Sequence, residues 1–101
     1  MTHASAPLQT LSAAETVARL PFAPLVDAIA QAARDQAAGR ITSPERLVVP
    51  LGEGGVILSM PAAAPDLGVH KLVTVQPANG ARGLPAIHGL VTVLDAATGR
   101  P

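Results

Sequence analysis

The sequence contains no cysteine, no tryptophan and no tyrosine, and Phe22 is its only aromatic residue. Without cysteine there are no disulfides, no thiolate metal sites and no thiol nucleophile. With one aromatic ring, any core must be built from aliphatic side chains. Charge is also sparse. Seven basic residues balance seven acidic ones, and no basic cluster stands out. The concentrated positive field needed to bind nucleic acid is therefore missing. His3, His70 and His88 lack metal-ligand spacing, so no metal site is expected. Although 49% of the residues are apolar, no apolar run approaches the ~18 residues of a membrane span. The first twenty residues lack the basic start and continuous apolar segment of a signal peptide. These absences predict a soluble, cytoplasmic protein with neither a membrane nor a nucleic-acid partner.

The 101 residues suit one small domain. A domain this size buries only roughly 60–65% of its unfolded surface and is marginal as a monomer. Residues 1–11 read as a polar lead-in, with an extended piece around Leu8 to Leu11. Ser12-Ala13-Ala14-Glu15 has the form of a capping box, so a short helix is expected to about Leu20, ended by Pro21. A second helix should start near Pro24, since proline suits a first turn. Leu25, Val26, Ile29, Ala30 and Ala33 form its apolar stripe, and Gly39 closes it.

Prolines at 44, 50, 61, 65, 77 and 85 then cut the chain into segments too short for helices. The β-type runs between them are Arg46 to Val49, Gly55 to Met60, His70 to Val75 and Ile87 to Leu94. No crossover helix separates them, which predicts an antiparallel or mixed sheet and an α+β class. Asp95-Ala96-Ala97-Thr98-Gly99 is a turn composition. The strand that such a turn introduces is expected beyond Pro101, leaving an open sheet edge in this segment.

Lys71 is the only lysine. Strand alternation puts it on one face with Val69, Val73 and Val75, where an ammonium needs an anion or a route to water. Two readings fit: a lysine that binds a substrate carboxylate or acts on a substrate nitrogen, or one whose head snorkels out. Arg46 opens a strand, and its planar fork suits a carboxylate; the other reading is a surface pair with Glu45 or Glu53. Arg82 lies between Gly80 and Gly83 in a loop that could present it to an anion or simply form a turn. Gly52-Glu53-Gly54-Gly55 is not a dinucleotide fingerprint, because Ile57 stands where a glycine is required and a strand follows. It reads as a hairpin turn. Asp66 and Asp95 sit in turn settings and are not marked as an acid–base pair. No cofactor site is recognisable.

From about Leu20 to Pro101 the chain resembles the start of the ornithine cyclodeaminase/μ-crystallin family. The residues that carry the likeness are the helix Leu25 to Gly39, Arg46-Leu47-Val48-Val49-Pro50, the run Gly55 to Pro61, and Leu67 to Val75. It continues through Asn79 to Pro85 and Gly89 to Asp95 to Thr98-Gly99-Arg100-Pro101. The resemblance implies a homodimeric protein with a substrate-binding and dimerisation domain, of which residues 12–101 would be a part, and a separate Rossmann domain holding NAD(H) or NADP(H). None of that cofactor is expected to bind this chain alone. The resemblance also implies that Arg46 and Lys71 hold a substrate carboxylate, with Lys71 the catalytic candidate, and that Arg82 is a further substrate-binding candidate.

Two departures shape the implied activity. The chain ends before the family's cofactor loop and before the aspartate assigned to catalysis in the cyclodeaminases. Leu58 stands where ornithine cyclodeaminases resembling this segment carry a glutamate near the substrate's amines, and Ala86 replaces a common threonine. An uncharged ring then fits better than ornithine. The expected activity of the complete protein is NAD(P)H-dependent reduction of a cyclic imine carboxylate of the Δ1-pyrroline-2-carboxylate type to proline. Ornithine cyclodeamination, or a non-catalytic binding or dimerisation module, are the alternatives.

Overall fold

The computed structural model describes residues 7–101; His3 and the first part of the lead-in lie outside the described residues. Pro7 to Leu11 is exposed and pairs with no strand. Helix α1 spans Ala13–Arg19. Its capping box is complete, with Glu15 N–H donating to Ser12 Oγ at 3.1 Å and Ser12 N–H donating to Glu15 Oε1 at 3.2 Å. Helix α2 spans Phe22–Ala37, with Pro21 as N-cap. It starts two residues before the expected Pro24, because a proline inside the first turn replaces an N–H that has no helical partner anyway.

Four strands follow: β1 Leu47–Leu51, β2 Gly55–Ala63, β3 Leu67–Val75 and β4 Ile87–Asp95. They form one antiparallel meander in the order β1-β2-β3-β4, which settles the choice between antiparallel and mixed pairing. The β1–β2 hairpin turns at Gly52 to Gly54, with Glu53 at φ 61° and Gly54 at φ 78°. Pro50 falls on β1, an edge strand with one side free of the ladder.

Pro61 does more than end a strand. Thr42 and Ala63 exchange two backbone hydrogen bonds of 2.9 Å, so the backbone groups of Ala63, and by alternation those of Pro61, point toward the β1 side. Pro61 has no N–H to offer there. The β1–β2 ladder accordingly stops at Leu47 opposite Ser59, and residues 43–46 bow away before Thr42 pairs again. That bow is the opening of the site described below. It also places Arg46 just ahead of β1 instead of inside it.

One end of the sheet is fastened by side chains. The loop after β3 contains a 3-10 turn, Pro77–Arg82, capped by the Gln76 side chain. Gln76 Nε2 also donates to Gly52 O at 2.6 Å, so it joins the β3–β4 connection to the β1–β2 turn. Gly55 is buried, and a Cβ there would lie 2.6 Å from Gln76 Nε2 and 3.1 Å from Val75 O. Gly55→Ala is expected to expel the Gln76 amide and lower stability by about 1 kcal/mol, the worth of one such hydrogen bond. Gln76→Ala in the same background should then cost little more, which a double-mutant cycle of thermal unfolding measures.

At the other end, Gly99 N–H donates to Asp95 O and Asp95 N–H donates to Arg100 O, both at 2.8 Å. The chain has turned back along the free edge of β4. The Thr98 hydroxyl and N–H, each 2.8 Å from Asp95 Oδ2, hold the Asp95 carboxyl below the ordinary aspartate range, with the hydroxyl the larger cause. A lowered carboxyl pKa stabilises the turn above the ordinary value, and that support is lost as pH falls through the lowered one. The turn is therefore closed at neutral pH.

The sheet is covered on neither face. Substantial contacts between elements occur only between neighbouring strands. No described hydrophobic side chain is buried, and Val26 and Ile29 of the α2 stripe remain 62% and 60% exposed. The radius of gyration is 16.5 Å, against about 13 Å for a compact domain of this length.

Candidate functional site

The strand register sets the site. Met60 lies opposite Lys71, and Lys71 opposite Val91. Met60, Lys71 and Val91 thus form one row across β2, β3 and β4, with side chains on the same face. Arg46 directly precedes β1 and lies outside the ladder, but it lines the same cleft as Met60 and Lys71. The next row toward the Gly52 turn is Val48, Leu58, Val73 and Gly89; on the other side come Ala62, Val69 and Val93. Two cations therefore stand in a field of aliphatic side chains.

An open cleft of ≈ 810 Å³ lies over this row, lined by Arg46, Val48, Met60, Ala62, Val69 and Lys71, with residues 43–45 and Pro61 at its rim. Neither Arg46 nor Lys71 makes an ion pair with any described carboxylate; the two described salt bridges are Arg40–Asp35 and Arg82–Glu53. Arg46 and Lys71 both line one cleft with Met60, so two long cationic side chains can converge there. An anion with two oxygens, such as a carboxylate, fits between them.

Arg82 is not part of this cleft. It pairs with Glu53 at the turn end of the sheet and donates to Asn79 Oδ1 at 3.1 Å. Asn79 in turn donates to Pro85 O at 3.0 Å and is the buried polar side chain of the described residues. Both partners of the Arg82–Glu53 pair are about half exposed, at 47% and 61%, so the contact is worth at most about 1 kcal/mol. Arg82→Ala is expected to leave kcat/KM of the complete protein within about threefold while lowering its thermal midpoint slightly.

His70 faces away from the cleft, and one of its ring nitrogens, Nε2, lies 2.8 Å from Ser59 Oγ. His88 lies opposite Thr74 on β4. Among the described residues there is no group of three His, Asp or Glu side chains that could hold a metal. No helix of the described residues is long and apolar enough to cross a membrane. The described residues do not fit a dinucleotide either: Gly52 to Gly54 is a hairpin turn leading into β2, and the α1 N-terminus is already filled by Ser12 and Glu15. Met60 was not singled out in the sequence, because a lone methionine in an apolar run looks like core filling. Only the register shows it standing opposite Lys71, in the cleft that Arg46 also lines.

The chain is 57% identical over 96 residues to a Δ1-pyrroline-2-carboxylate/Δ1-piperideine-2-carboxylate reductase of Azospirillum brasilense, covering 95% of this chain and 31% of that protein. It is 58% identical over 87 residues to Δ1-pyrroline-2-carboxylate reductase 1 of Burkholderia multivorans, covering 86% of this chain and 28% of the relative. The chain thus spans about a third of the length of these curated relatives.

Among solved structures, an archaeal alanine dehydrogenase dimer with bound NAD superposes with a TM-score of 0.68 at 29% identity, over 74% of this chain and 23% of that one. The Thermococcus litoralis Δ1-pyrroline-2-carboxylate reductase in complex with NADH and L-proline gives 0.62 at 28% identity, over 66% and 22%. The ornithine cyclodeaminase/mu-crystallin family profile matches residues 8–101, and with that match the chain belongs to this family.

Proposed function

We propose that residues 12–101 are part of the substrate-binding and dimerisation domain of a cytoplasmic, homodimeric reductase that converts cyclic imine carboxylates of the Δ1-pyrroline-2-carboxylate type to their saturated amino acids. The observation that carries this reading is the meeting of Arg46, Met60 and Lys71 in one cleft whose remaining lining is mostly aliphatic. Arg46 and Lys71 take the carboxylate and neutralise it. The ring then lies along the apolar rows, where Leu58, Val48 and Val73 offer nothing to a second charged amine. A distal ammonium placed there would be desolvated without a partner, which is costly. An uncharged ring meets no such penalty.

Fixing the carboxylate also fixes the C=N carbon relative to the sheet, and orientation of this kind lowers the entropic part of the barrier. Lys71 stands on the central strand β3, from which its ammonium reaches either the carboxylate or the neighbouring nitrogen that gains a proton. The nicotinamide that supplies the hydride belongs to a part of the complete protein outside these residues, as the reductases and dehydrogenases matched above suggest. Arg82 is assigned the Glu53 clasp in preference to the substrate.

The test is oxidation of NADH or NADPH by the complete protein with Δ1-pyrroline-2-carboxylate. Turnover is expected with at least one nucleotide, and none with either would end this reading. Ornithine cyclodeamination draws on Glu45, the one carboxylate at the cleft rim. It would show itself as ammonia release and proline formation from ornithine with catalytic NAD⁺.

A further inference from the structure

We infer that Met60 is an oxidation-sensitive site whose sulfoxide closes the carboxylate clamp. The inference rests on the clamp reading above. Met60 is partly exposed, lies opposite Lys71 in the sheet and lines the open cleft together with Lys71 and Arg46. In the reduced form its thioether is a weak acceptor that competes poorly for either cation. A peroxide changes that. The sulfur attacks one peroxide oxygen, an S–O bond forms and the O–O bond breaks, so the sulfur is oxidised by two electrons and the peroxide is reduced to water or an alcohol. The product carries a strongly polarised oxygen on the side chain, turning an apolar group into a polar one.

Met60 stands one strand spacing, about 4.8 Å, from Lys71, and its oxygen shares the cleft with Arg46. That oxygen therefore presents to the two cations what a substrate carboxylate oxygen presents. Substrate must displace it to bind, so oxidation acts as an intramolecular competitor. It raises KM and leaves kcat for bound substrate largely unchanged. A bound carboxylate should also cover the sulfur and slow its oxidation. Reduction of the sulfoxide by a thiol-dependent methionine sulfoxide reductase removes the oxygen as water and reopens the clamp.

The experiment treats the complete protein with hydrogen peroxide and follows oxygen gain on the Met60 peptide by mass spectrometry alongside steady-state kinetics. KM for the cyclic imine carboxylate is expected to rise about tenfold or more in step with Met60 oxidation, with kcat within about twofold. Proline present during treatment should slow both changes, and sulfoxide reductase should reverse them. M60L, compared with its own untreated state, should keep its KM. Full Met60 oxidation with unchanged KM would overturn the inference, as would M60L losing affinity at the wild-type rate or Met60 resisting peroxide. Arg46 and Lys71 variants that bind substrate normally would instead remove the clamp itself, so the two failures are distinguishable.

Discussion

Arg46→Ala and Lys71→Ala are each expected to lower kcat/KM for a cyclic imine carboxylate by roughly 10- to 150-fold in the complete protein. The range follows from hydrogen bonds to charged groups, worth about 1.5–3 kcal/mol each, at tenfold per 1.36 kcal/mol. In the proposed clamp both side chains reach one anion, so their losses should not add. Once one cation is gone the carboxylate is free to move, and removing the second costs less. Arg46→Lys should recover only part of the loss, because an ammonium cannot reproduce two parallel N–H donors. The two positions should also differ in kind. In that clamp Arg46 would contact only the unreacting carboxylate, so its loss should appear mainly in KM. If Lys71 also serves the nitrogen that gains a proton, its loss should lower kcat as well. Variants of either residue that keep wild-type kcat/KM would remove the clamp.

Those two residues were legible in the sequence for different reasons. Lys71 was conspicuous as the sole lysine on an aliphatic strand, and the structure gives it the neighbours that alternation predicted. Arg46 was marked only by strand position and by family likeness; its place comes from a break in the ladder that the sequence hides. Pro61 looked like a boundary, yet β2 runs through it to Ala63, because the N–H it lacks faces the gap between Leu47 and Thr42. The same gap creates the cleft. Local signals fared well where the interaction was local, as in the Ser12 capping box and the turn at Gly52 to Gly54.

Readings that depended on distant partners fared less well. Arg82 was legible as a loop cation, but its pairing with Glu53 spans 29 residues of sequence and follows from Gln76 drawing the two connections together. Met60 was invisible for a similar reason. Its meaning depends on which residues lie opposite, and register is fixed by the hairpins and not by the strand's own composition.

Alone, the polypeptide of these 101 residues is expected to melt without a cooperative transition and to associate as its concentration rises. Its accessible surface is 7819 Å², whereas a compact protein of 10.1 kDa exposes about 5300 Å². Both faces of the sheet carry exposed aliphatic side chains. Leu47, Val48, Leu90, Val91 and Val93 are 52–64% exposed, so burial offsets little of the chain entropy lost on folding. The free edge of β4 adds a second route to association. Asp95 already donates its outward N–H to Arg100 O, and alternation makes the N–H groups of Val93 and Val91 outward too. That row is an unpaired template for another strand. Val93→Pro removes one outward donor and spares the β3 ladder, whereas Thr92→Pro removes an inward one. If the edge drives association, Val93→Pro should reduce it in sedimentation while the β-sheet circular dichroism persists, and Thr92→Pro should lose both. Unchanged association in Val93→Pro would assign it to the uncovered faces instead. A sharp, concentration-independent melting transition of the monomer would show that these residues fold without further cover.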